Sequence, residues 1–265
     1  MISKKLVAVL FSALFVVIAI IYLFQLSDLL GNTLYLIAPF LAVITSLYAV
    51  RTYRLNNGHG QVMALLSAGL ICWLIGETLF FLFQFVWHTS PFPSVADVFY
   101  LVAYPLIFAG LVKEILIHKV SLHDFNKLFM TLVVLLLIVL AVIVAYFGVH
   151  KAYTPGASFW SNSISIAYGL GDFFLIVPCL FVLKIALDYQ GGKLYTTWIL
   201  ILLALMFMLT GDILFAVFRN QYDTLVFPYT LIDLAYVMSY LCFAYSFFYT
   251  AATIRELHAK LIKTN

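Results

Sequence analysis

A chain of 265 residues that is 65% hydrophobic and only 9% charged has too few polar side chains to cover a water-soluble globule. With a mean hydropathy of +1.11 it reads as a polytopic membrane protein of the all-α class. The formal net charge of +3 is mild and asks for no nucleic-acid partner, since a basic rim facing an anionic leaflet accounts for it.

Apolar stretches near the roughly 20 residues that cross about 30 Å of hydrocarbon fall at about 6–25, 31–50, 62–86, 94–112, 128–148, 161–183, 194–218 and 228–252. Eight transmembrane helices are predicted, as one membrane domain over 1–252 followed by a short basic tail, 253–265. In the first stretch, Lys4 and Lys5 precede an apolar run longer than a signal-peptide core. No small-x-small cleavage pattern occurs before Gln25, so a retained helix is expected. With the N-terminus inside, Lys4, Lys5, Arg51, Arg54, Lys113, Lys119, Lys127, Lys184, Lys193, Arg255, Lys260 and Lys263 all face the cytoplasm. Only Lys151 and Arg219 face outward, out of the 14 basic residues. The positive-inside rule then places both termini in the cytoplasm of a plasma-membrane protein. Cys72, Cys179 and Cys242 all lie in spans and read as small packing residues, neither a disulfide framework nor a metal site.

The third span carries an acid, Glu77, and so begins an internal repeat. "LIGETLFFLFQ" from Leu74 aligns with "LTGDILFAVFR" from Leu209, pairing Gly76 with Gly211 and Glu77 with Asp212. "PSVADVFYLVAY" from Pro93 matches "PYTLIDLAYVMSY" from Pro228, pairing Asp97 with Asp233, Tyr100 with Tyr236 and Tyr104 with Tyr240. Spans three and four echo spans seven and eight. A four-span unit preserves orientation, so a 4+4 parallel repeat is expected, with halves of about 1–120 and 121–252 and an axis along the membrane normal.

Glu77, Asp97, Asp172, Asp212 and Asp233 are expected in the middle and outer half of the bundle, with only Arg219 at comparable depth to offset them. An ionised carboxylate at a membrane helix centre costs roughly 2.5–3.5 kcal/mol on insertion scales, so such acids are functional candidates. Two readings stay open. Tyr35, Tyr100, Tyr104, Tyr168, Tyr236 and Tyr240 could bond the acids as interhelical glue, and Asp97 could merely cap the fourth span after Ser94. Alternatively, acids and tyrosines line a polar cavity. Gly76, Gly169, Gly171 and Gly211, beside the acids, suit close approach of a backbone or a ligand.

Other chemistries are disfavoured. No Lys lies between Lys193 and Lys260 for a retinal Schiff base. His59, His88, His118, His123, His150 and His258 are assigned to loops or tails, so no metal site is expected. Phosphate-cradling loops and a nucleophile elbow are absent, and no cofactor is expected.

The segment "SPFPSVADVFYLVAYPLIFAGL" resembles the membrane module found ahead of diguanylate cyclase and histidine kinase domains. The shared Pro-Ser-x-x-Asp-x-x-Tyr-Leu-x-x-Tyr-Pro pattern falls on Pro93, Ser94, Asp97, Tyr100, Leu101, Tyr104 and Pro105; "ISIAYGLGDFFLIV" and "LTGDILFAVF" are similar to that module's second half. The resemblance implies a sensory module binding a small ligand, lipid or cation and signalling to a partner. Only "TIRELHAKLIKTN" follows the last span, so the sequence carries no cyclase, kinase or PAS domain and a separate partner is expected. Gly76-Glu77 and Gly211-Asp212 are also similar to the acids of the lysoplasmalogenase family. That likeness implies a membrane lipid hydrolase with Glu77 and Asp212 as acid/base pair, although Glu replaces that family's first Asp and its fourth-span His is missing. A proton or cation relay is a further alternative. The expected ligand-binding set is Glu77, Asp97, Tyr100, Tyr104, Asp172, Asp212, Asp233, Tyr236 and Tyr240, with membrane lipids as surroundings.

Overall fold

Backbone N–H and C=O groups in hydrocarbon have no water to bond, so each apolar run closes its hydrogen bonds within itself as a helix. The computed structural model describes residues 3–120, 126–151, 155–188, 195–222 and 230–264, together with Tyr153, Gln190 and Gly192. Among these residues there is no strand; the helices are α1 (Lys4–Leu23), α2 (Asp28–Tyr35), α3 (Ile37–Tyr53), α4 (Gly58–Phe81), α5 (Val95–His118), α6 (Lys127–Ile143), α7 (Phe159–Asp188), α8 (Tyr195–Tyr222) and α9 (Leu231–Thr264). Helices α2 and α3 together form the second span, and eight segments are long and apolar enough to cross a membrane. The chain is a multi-pass, all-α membrane protein.

Polar residues at the ends start the helices. Ser3, Ser27, Asn57 and Asn126 each accept a hydrogen bond from a first-turn amide of α1, α2, α4 and α6, satisfying donors that a helix N-terminus leaves free. The last turn of α4 widens into a π-helical turn, Leu82–Val86, and α6 continues as another, Val144–Lys151.

Helix α9 is the hub. It packs on α1, α3 and α8, while α5 packs on α4 and α7, α3 on α4, and α7 on α8. In its most apolar window α9 is 61% buried, against 6% for the span that begins with α6, which therefore gives nearly all its surface to lipid. Small hydroxyl residues join α8 to α9: Ser239 Oγ donates to the Ala204 carbonyl (2.8 Å), Ser246 Oγ to the Thr197 carbonyl (2.9 Å), and the Thr197 and Thr250 hydroxyls meet at 2.6 Å. Such residues let membrane helices approach closely where hydrophobicity alone gives no drive to associate.

Both chain ends lie at one face. Lys4 Nζ is 2.8 Å from Glu256 Oε2 and sits over the Tyr249 ring, and Arg255 Nη1 donates to the Tyr48 hydroxyl at 2.7 Å. The residues expected as a basic tail from 253 continue the last helix: α9 runs unbroken from Leu231 to Thr264. Thr253, Ile254 and Leu257 extend its apolar pattern without a glycine or proline to end it.

Candidate functional site

The acids sit where helix length puts them. Glu77 is nineteen residues beyond the start of α4 and Asp212 seventeen beyond the start of α8, or about 28 and 25 Å along their axes at 1.5 Å per residue. Asp97 and Asp233 occupy first turns of α5 and α9, helices that run the opposite way. All are thereby brought into the half of the bundle remote from the chain ends.

There the structure encloses a cavity of about 340 Å³. Every one of the nine residues expected from the sequence lines it: Glu77, Asp97, Tyr100, Tyr104, Asp172, Asp212, Asp233, Tyr236 and Tyr240. No Lys, Arg or His is among its described lining residues. The Arg219 side chain lies outside the described residues.

Tyrosine hydroxyls hold the carboxylates. Tyr35 and Tyr240 both donate to Glu77 Oε1, at 2.9 and 2.8 Å, and the Tyr100 hydroxyl faces the same carboxylate. Tyr236 donates to Asp212 Oδ1 at 2.7 Å. The Tyr104 hydroxyl stands between Asp172 Oδ1 (2.9 Å) and Asp212 Oδ2 (3.3 Å), and these two carboxyl groups face each other at hydrogen-bonding range. The close acid pair is thus Asp172 with Asp212, and Glu77 is held by its own set of tyrosines.

Asp97 serves both purposes that the sequence leaves open. Its Oδ2 accepts from the Ser94 amide at 2.6 Å while the Ser94 hydroxyl accepts from the first turn, a capping box. Its Oδ1 accepts from the Tyr168 hydroxyl at 2.6 Å, and the residue is 3% exposed.

Glycine decides how closely the rings approach. A Cβ on Gly76 would lie 2.8 Å from Tyr100 Cε1, and one on Gly211 2.5 Å from Tyr236 Cε1. Both distances are too short for a side chain, so on α4 and on α8 the residue before the acid gives its space to a tyrosine ring.

Trp73 is a lining residue the sequence reading passes over. It is 3% exposed, and its ring meets those of Tyr104 and Tyr240 edge-on at 6.4 and 6.3 Å between centroids, wedged between tyrosines of α5 and α9. An aromatic in an apolar run looks the same whether it packs a core or floors a cavity. Asn32 also lines the cavity; it lies in α2, at the start of the second span, where one amide among apolar residues does not stand out.

The histidine assignment holds for His88, between the π-helical turn after α4 and the start of α5, and needs correction elsewhere. His59 lies in the first turn of α4, His118 ends α5, His150 lies in the π-helical turn after α6, and His258 is on α9; His123 lies outside the described residues. His59 and His118 converge on Glu114 at the face carrying the chain ends. The flanks of the spans are helical beyond their apolar stretches, which is why hydropathy alone misplaces these residues.

No protein-family model matches the chain, and comparison with curated proteins and with solved structures finds no match.

Proposed function

We propose that the protein is a membrane-embedded ligand-binding module of the sensory kind, passing occupancy of its cavity through α9 to a signalling partner. One observation carries this reading. Five carboxyl groups, drawn from α4, α5, α7, α8 and α9, share a single cavity of about 340 Å³ with no described cation among its lining residues. Helix glue needs pairs of side chains, not a shared space with room for a small molecule. A ligand bearing an amine or several hydrogen-bond donors would suit these carboxyl groups, and the rings of Trp73, Tyr104 and Tyr240 suit the face of a cation. The motif around Asp97, Tyr100 and Tyr104 adds its resemblance to bacterial sensory membrane modules.

A parallel 4+4 repeat fits the same site. Under the repeat, the contact of α3 with α9 answers that of α7 with α5, and the bond from Tyr240 to Glu77 answers that from Tyr104 to Asp212. The cavity would then lie at the junction of the two halves, where repeat-built membrane proteins place their ligands. The basic residues argue for a cytoplasmic location of the face bearing the chain ends.

The test is mass spectrometry of small molecules and lipids retained by the detergent-purified protein, wild type against the Glu77→Gln/Asp212→Asn double variant. A molecule retained only by wild type is expected. Identical profiles, with the variant simply less stable, would reduce the carboxylates to structural bonds. A second reading, a lipid hydrolase similar to the lysoplasmalogenases, is favoured by the facing carboxyls of Asp172 and Asp212 with Tyr104 between them, an arrangement able to move a proton. Turnover of ether or ester lysolipids by wild type, lost in Asp212→Asn, would choose it over the sensor.

A further inference from the structure

A second constellation stands apart from the cavity. From His59 to Glu77 is eighteen residues along α4, about 27 Å. At the far end of that helix, His59 Nδ1 is 3.0 Å from Glu114 Oε2, and His118 Nε2 is 3.0 Å from Glu114 Oε1. The three donor atoms all lie within 4.8 Å of one another. The Glu114 side chain is fully buried, while those of His59 and His118 keep 25% and 14% exposure.

Local folding puts these groups together. Arg54, at φ 65°, turns the chain out of α3, and the Asn57 side chain accepts from the His59 amide to start α4. The turn is so tight that a Cβ on Gly60 would lie 1.9 Å from the Arg54 carbonyl oxygen, and a Cβ on Gly58 would lie 3.1 Å from Ile117 of α5. Glu114 and His118 are four residues apart on α5 and so share one face. The His59 ring enters that face from α4, its centroid 5.6 Å from that of His118.

We propose that His59, Glu114 and His118 bind a divalent first-row transition metal of the zinc type. Two imidazoles and one carboxylate are a donor set these metals favour, whereas magnesium and calcium prefer oxygen alone. Both oxygens of the buried Glu114 already face a ring nitrogen, so a metal would exchange these two hydrogen bonds for coordination by the same atoms. Tetrahedral zinc, with bonds of about 2.1 Å, needs donors about 3.4 Å apart. Two contacts are already shorter than that, and a small ring rotation closes the third. Three protein ligands leave a fourth position, reachable from the exposed edges of the rings, for water or for a donor from a partner.

The experiment uses tag-free, full-length protein in detergent, stripped with a chelator and titrated with Zn²⁺ alone, both by calorimetry and by competition with a chromophoric chelator. One ion per chain is expected. His59→Ala and His118→Ala should each weaken binding by about 100-fold or more, since even an outer partner of a metal ligand is worth 10- to 100-fold. His258→Ala, which alters an exposed residue outside the cluster, should bind as wild type. Substitution with Co²⁺ should give the visible absorption of a low-coordinate site, lost in both cluster variants. Absence of stoichiometric binding in wild type, equal binding in the His59→Ala/His118→Ala double variant, or displacement of Zn²⁺ by equimolar Mg²⁺ would each overturn the proposal. The histidines are only partly buried, so their variants are expected to fold, and the wild-type stoichiometry is decisive without them.

Discussion

Tyr240 illustrates how a single hydroxyl can hold two distant helices of a membrane protein together. The residue is 1% exposed and gives its only described side-chain hydrogen bond to Glu77, on a helix 163 positions earlier in the chain. Replacing it by Phe keeps the ring and its packing on Trp73 and Tyr35 but leaves the carboxylate with one donor fewer. A bond to a buried acid is worth about 1–3 kcal/mol. Tyr240→Phe should therefore lower the melting temperature of the detergent-solubilised protein clearly, while Tyr153→Phe, at a residue that is 55% exposed, should leave it nearly unchanged. An equal response at the two positions would mean that the hydroxyls contribute nothing specific. The acids themselves were legible from the sequence because a carboxylate in an apolar run is an anomaly with few explanations. Trp73 was not, because an aromatic in such a run is no anomaly. Nor was Glu114: it lies beside Lys113 in the basic flank of a span, where an acid looks like ordinary surface charge, and only the helix packing brings His59, 55 positions away, onto it.

Helices α8 and α9 show how a span chooses its neighbour. Hydropathy located both, but it says nothing about which face of a wholly apolar helix meets another. Ser239, Ser246 and Thr250, all fully buried, mark that face by their hydroxyls and small volumes. Interhelical bonds of this kind average about 0.6 kcal/mol. Ser246→Ala is thus expected to shift the thermal unfolding midpoint only slightly, whereas Ser246→Leu, which must force the helices apart, should cost several times more. If both variants melt alike, the hydroxyl rather than the volume sets the contact. The helix boundaries departed from expectation mainly at the ends of spans, where α5 and α9 continue past their apolar stretches. Polar residues stop a membrane window without stopping a helix, which needs a cap, a glycine or a proline.

The whole bundle was readable in outline because only closed backbone bonding survives in lipid, leaving eight apolar runs little choice but to become helices. Its orientation rests on the distribution of Lys and Arg, and labelling settles it. A cysteine introduced at Asn56, in the turn before α4, should react with a membrane-impermeant maleimide only after cells are opened, in a background where Cys72, Cys179 and Cys242 are replaced. A cysteine at Ser90, between the π-helical turn after α4 and the start of α5, should react in intact cells. The reverse pattern would invert the molecule and place the cavity in the cytoplasmic half.

Helix α9 reaches from Tyr240, beside Glu77, to Glu256, sixteen residues and about 24 Å further on, with no break between them. It is in effect a lever. A tilt of about 10° pivoting at Tyr240 would carry Glu256 sideways by roughly 4 Å, more than the 2.8 Å that now separates it from Lys4 Nζ. Under the proposed function, the ion pair at the opposite face would act as a latch on that lever, strained by any tilt of α9 that starts at the cavity.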